Sequence, residues 1–149
     1  MVLFQLIHLL AALIWVGGMF FAYVTLRPAA AEVLEPPQRL SLWDAVFRRF
    51  FSWVWGAVSI LMVSGLYMVY LYGGLTHVGR HIHIMLLIGL TMMVIYGYVY
   101  FGCYIPFSLH VAKQRWKEAG EILAKIRKLI AVNLLLGVLA VCVAVIGMA

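Results

Sequence analysis

Four long apolar stretches alternate with short polar connections along the chain. They cover residues 2–26, roughly 51–72, roughly 81–103 and roughly 129–146. Each is close to the ~20 residues that a helix needs to cross a bilayer core. The third is predicted to continue as helix toward His110, and Gly73-Gly74 closes the second. No internal repeat or low-complexity tract is visible. The pattern predicts an all-α integral membrane four-helix bundle, with residues 1–149 forming a single transmembrane domain.

Small residues indicate which sides of the helices face inward, because lipid is as apolar as leucine and membrane helices meet through small side chains. In the fourth span, Asn133, Gly137, Ala140, Ala144 and Gly147 fall on one face. In the first, His8, Ala11, Ala12, Trp15, Gly18 and Ala22 share a broad sector, opposite Leu6, Leu10, Phe21 and Val24. Both sectors are expected to face the bundle interior. Residues two apart on a helix differ by about 200° in direction, so His81 and His83 cannot both face inward. His83 shares a face with Leu87, Leu90, Val94, Gly97, Phe101 and Tyr104. His81 shares one with Met85, Ile88, Met92 and Ile95. The first is taken as the inward face and the second as lipid-facing, with His81 kept as the alternative inward residue.

Composition agrees with a membrane protein. The chain has 149 residues, 66% hydrophobic and 11% charged, where a soluble domain would carry about 25% charged residues. The net charge of +6 reflects topology rather than nucleic-acid binding. Arg27, Arg39, Arg48 and Arg49 lie in or beside the first connection, and Lys113, Arg115, Lys117, Lys125, Arg127 and Lys128 in or beside the third; only Arg80 lies in the second. This asymmetry puts connections one and three in the cytoplasm and both termini on the outer, periplasmic side of a multi-pass inner (plasma) membrane protein. The first span lacks a basic leader and is expected to be retained. Pro36-Pro37 should stop any helix, and Ser41 to Asp44 resembles a capping box that restarts one. The charged third connection should be a solvated face against lipid head groups. Tyr96, Tyr98, Tyr100 and Tyr104 fit aromatic anchoring at the interface.

Candidate chemistry rests on histidine. His8 lies about two turns into an apolar helix, and an intramembrane ionisable residue is by default a functional hypothesis. His8 and His83 both lie in the half of the bundle that holds the termini, so they are a candidate metal pair; neutral imidazole suits haem iron, copper or zinc. Arg80 would sit close enough to pair with a haem propionate. Cys103 and Cys142 belong to no CxxC motif and should lie at opposite depths. The acidic residues all fall in the connections. No hydrolase triad, phosphate loop or acidic metal cage is present.

The stretch from His8 to Pro28 reads HLLAALIWVGGMFFAYVTLRP. It resembles the opening of the CopD-type family named for copper resistance, with His8, Trp15, Gly17, Gly18, Arg27 and Pro28 in the matching order. The segments RHIHIM from Arg80 and RKLIAVN from Arg127 also resemble small four-span members. His8 and Trp15 are similar to a pair in the more distant HemJ-type protoporphyrinogen oxidases, which are associated with haem b. In that family the third helix opens His-x-Lys, and His83 stands where its Lys would be.

Three functions are compatible with these residues and resemblances. The first is a b-type haem protein with bis-histidine ligation by His8 and His83, and with Trp15 and Arg80 at the cofactor. It would transfer electrons or oxidise a membrane-accessible quinone or tetrapyrrole as an oxidoreductase. The second is copper uptake or resistance, since soft Cu(I) favours Met and Cys. The third is a cofactor-free scaffold subunit. The expected partners are the lipid bilayer, a quinone or tetrapyrrole substrate and further copies in a homo-oligomer, with no nucleic acid.

Overall fold

The computed structural model describes residues 1–148. Four helices make up nearly all of it: α1 (Val2–Val33), α2 (Pro36–Leu71), α3 (Arg80–Ala112) and α4 (Trp116–Met148). All four are long and apolar enough to cross a membrane. They run antiparallel as two hairpins, α1–α2 and α3–α4. The chain ends therefore lie at one end of the bundle, here the terminal end, and the α1–α2 and α3–α4 turns at the other, the basic end.

The helices extend beyond the apolar spans at the basic end, as expected for the third toward His110, and the prolines there do not break them. Pro28 lacks an N–H and would crowd the carbonyl four residues back in a regular helix. Immediately before it, Phe21–Leu26 widens into a π-helical turn, and the Arg27 N–H reaches the Ala22 carbonyl. The same device precedes Pro106: Val99–Tyr104 is π-helical and the Ile105 N–H reaches Tyr100. Pro36 and Pro37 occupy the first turn of α2, where a missing N–H is harmless. They start a helix as well as ending the connection. Ser41 therefore lies inside α2, its hydroxyl donating to the Pro37 carbonyl at 2.9 Å, and the predicted capping box does not form.

Two helix ends are closed alike. After α2, Gly73 takes a φ of +92°, its N–H donates to Tyr70, and the Gly74 N–H donates to Val69. After α3, Gln114 takes a φ of +55°, with its N–H on Val111 and the Arg115 N–H on His110. Both are Schellman closures, but the second places a side chain where glycine is usual.

The two hairpins also repeat each other in burial, a correspondence that the residue types conceal. Ala11, Trp15, Met19, Ala22 and Ala30 in α1 are matched in spacing by Ile88, Met92, Tyr96, Val99 and Phe107 in α3, and all ten are buried. Leu40, Phe47, Phe51 and Val54 in α2 are matched by Ala119, Ile126, Ile130 and Asn133 in α4, again all buried.

The small-residue faces behave as expected. Ala11, Trp15 and Ala22 are buried while Leu6, Leu10, Phe21 and Val24 are exposed. In α4, Asn133 and Gly137 are buried while Val132, Leu135 and Val138 are exposed. A Cβ at Gly137 would fall 2.8 Å from Val16 Cγ2 and 3.3 Å from Met92 Cε, so this glycine lets α1 and α3 close on α4. Aromatic rings bind α2 to α3 in the basic half. Phe47 and Phe51 stack at 5.1 Å, and Phe51 meets Tyr96 and Tyr104 edge-on at 5.7 and 5.2 Å. Tyr96 and Tyr104 are thus core residues rather than interfacial anchors. Tyr98 alone of the four is exposed, and it accepts a hydrogen bond from Lys125.

Candidate metal-handling site

His8 projects from the inward face of α1 and is half-buried. Its Nδ1 lies 2.8 Å from the hydroxyl of Ser64 on α2, a residue only 3% exposed. The Ser64 hydroxyl has one proton and donates it to the Ile60 carbonyl at 2.6 Å. With that proton on Ile60 the hydroxyl accepts from the ring, which assigns the imidazole proton to Nδ1. In the neutral ring the Nε2 lone pair is then free to bind a metal. Fixing a ligating histidine through its other nitrogen is the usual way a protein sets tautomer and orientation. Gly65 gives the ring room, since a Cβ there would stand 3.3 Å from His8 Cε1.

On α3 the structure reverses the predicted faces. Ile88 and Met92 are buried and Met85 is half-buried, while Leu87, Leu90, Val94 and Phe101 are 42–73% exposed. The inward histidine is His81, which packs against the backbone of Gly147 on α4. His83 is exposed, and its Nδ1–H donates to the Gly79 carbonyl of its own helix at 3.2 Å. Arg80 is exposed beside it. The physical reason is that lipid takes the bulkier aliphatic face, while the interior accepts the methionines and a ring seated on glycine. His8 and His83 are thus not brought together, each having a separate partner. Trp15 lies in the core, 3% exposed and edge-on to Tyr96 at 6.0 Å, where it supports the helix that carries His8. Among the described residues, no group of three His, Cys, Asp or Glu side chains is placed to hold one ion.

The corrected face carries soft donors, three of which, His81, Met85 and Met92, the sequence pattern places against lipid. His81, Met85, Met92 and Cys103 lie in order along the inner side of α3, and Cys103 is 1% exposed. Both cysteines are free thiols, and Cys142 is exposed. Opposite Met92, Asn133 donates from Nδ2 to the Met92 carbonyl at 3.2 Å, while its Oδ1 is buried with no partner. Asn133 borders a space of about 10 Å³ shared with Trp15, Met19 and Tyr96. Tyr96 is held by its hydroxyl, which donates to the Phe51 carbonyl at 3.0 Å. The unpartnered Oδ1 therefore belongs to a side chain anchored on the Met92 backbone, and Met19 lines the same small space as Asn133.

Four helices long and apolar enough to cross a membrane, with His81, Met85, Met92 and Cys103 along the inner side of α3, define a multi-pass membrane protein. A family model described as copper resistance protein D matches residues 44–146, and the chain belongs to this CopD family. The match takes in Ser64, His81, Met85, Met92 and Cys103 and begins after His8. No curated protein and no solved structure matches the chain, so the likeness to HemJ-type proteins rests on His8 and Trp15 alone.

Proposed function

We propose that the protein moves copper across the membrane as Cu(I), with the inward face of α3 as its path. The observation that carries this reading is the alignment of His81, Met85, Met92 and Cys103 on that face. Thioether, thiolate and imidazole are the donors that select Cu(I). Copper is the cargo here, so weak successive sites suit the task better than one closed cage; an ion must be able to leave as well as enter. His8, with Nε2 free, would join His81 in receiving copper at the terminal end. Met85 and Met92, with Asn133 hydrogen-bonded to the Met92 backbone, would pass it inward, and Cys103 would hold it before the basic end. By the distribution of Lys and Arg the basic end is cytoplasmic, so movement along this path is uptake.

A haem held by His8 and His83 has less support, because His83 is exposed and turned onto Gly79.

The test is Cu(I) uptake into proteoliposomes containing wild type or the Met85→Leu/Met92→Leu double variant. Met-to-Leu exchange conserves volume and costs under about 1.5 kcal/mol per site. Uptake should fall about tenfold or more while the protein stays folded. Uptake equal to that of wild type would remove the α3 path.

A further inference from the structure

An open apolar groove of about 430 Å³ runs along the outside of the α1–α2 hairpin. Ile7, Leu10 and Ile14 form one wall and Trp53 and Ile60 the other, with Gly56 between them. The depression exists because α2 presents glycine there: a Cβ at Gly56 would meet nothing within 4 Å. Toward the basic end the groove finishes at Ser52 and Trp53. Four residues earlier, and so on the same face of α2, stand Arg48 and Arg49, both exposed. The Arg49 guanidinium donates one N–H to the Ala45 carbonyl at 3.0 Å, and its other donors remain available. The Ser52 hydroxyl is folded back onto the Arg48 carbonyl at 2.8 Å, which keeps the mouth of the groove apolar.

An apolar slot one chain wide, headed by two guanidinium groups, is complementary to a phospholipid with a net negative head group. We propose that the groove is a binding site for one anionic phospholipid, its phosphate on Arg48 and Arg49 and one acyl chain lying over Gly56 beside Trp53. Guanidinium binds phosphate through paired N–H donors. Charge argues against a second copy of this chain as the occupant, because a two-fold contact through this face would bring four exposed arginines together against only two half-buried Asp44 carboxylates, one from each copy a turn before Arg48. The site is independent of copper and needs no part of the α3 path.

The experiment uses the full chain in detergent, titrated with phosphatidylglycerol carrying brominated acyl chains, with tryptophan quenching as the readout. Quenching should be saturable, and Trp53→Phe should remove most of it. Each Arg near a membrane surface contributes about a fivefold factor, so Arg48→Gln/Arg49→Gln should weaken binding roughly 30-fold. Gly56→Leu should block it, while Arg127→Gln/Lys128→Gln should leave it unchanged. Equal affinity for brominated phosphatidylcholine would overturn the proposal, as would insensitivity to Gly56→Leu. A dimer that Gly56→Leu disperses, with no saturable quenching in wild type, would also overturn it by giving the groove to a second copy.

Discussion

Removing the Ser64 hydroxyl should release His8 in two measurable ways. In wild type the hydroxyl accepts from His8 Nδ1 at 2.8 Å and donates to Ile60 at 2.6 Å. Ser64→Ala leaves the Nδ1–H without an acceptor on the α2 side. A net side-chain hydrogen bond contributes about 1 kcal/mol, and interhelical bonds in membranes average nearer 0.6 kcal/mol. The loss of stability should therefore be small, under about 1.5 kcal/mol. The effect on metal binding should be larger, because loss of the group that orients a ligating imidazole commonly weakens affinity by about 10-fold to 100-fold. The assay is nitrogen-15 NMR of histidine-labelled protein, paired with competitive Cu(I) titration. Wild type should show His8 protonated at Nδ1, and Ser64→Ala should show mixed tautomers and at least about tenfold weaker binding. A wild-type His8 protonated at Nε2 would refute the reasoning, since Ser64 would then be the donor and no free lone pair would face the bundle.

Other outcomes follow from single features of the fold. Gln114→Gly should stabilise the protein by up to about 1 kcal/mol in denaturant titration, because Gln114 holds a φ of +55° that L-residues adopt at a cost of about 1–2 kcal/mol, offset in part by the added freedom of glycine when unfolded. Gly137→Val should destabilise by about 1–3 kcal/mol in the same assay, since its first carbon already meets Val16 at 2.8 Å. A reporter enzyme that works only outside the cytoplasm should be active when fused after Ala149 and inactive when inserted at Gln114. The reverse pattern would invert the proposed direction of copper movement.

Much of this architecture was legible in the sequence, and the failures have physical causes. The faces of α1 and α4 could be read because alanine and glycine mark close approach. The face of α3 could not, because its interior bears Ile88 and Met92, as apolar as the Leu87 and Val94 that meet lipid. Choosing the more aliphatic side as inward applies the logic of a soluble protein, and it turned His83 inward in place of His81. The third helix runs past Pro106 to Ala112, as its expected continuation toward His110 requires, whereas the first outruns its expected end because the π-helical turn before Pro28 absorbs that proline. The repeat between hairpins escaped notice because position and burial recur while side chains differ. His8 stood out as a lone imidazole in an apolar run. Its partner Ser64 did not, because serines in membrane helices mostly bond to their own backbone, as Ser52 and Ser59 do here.

The inward face of α3 is most directly tested by X-ray absorption at the copper edge on protein loaded with one equivalent of Cu(I). Sulfur and nitrogen scatterers should both appear. Met85→Leu/Met92→Leu should reduce sulfur, leaving the Cys103 contribution, His81→Ala should reduce nitrogen, and His83→Ala should change nothing. A site without sulfur, or one altered by His83→Ala and indifferent to His81→Ala, would contradict the account.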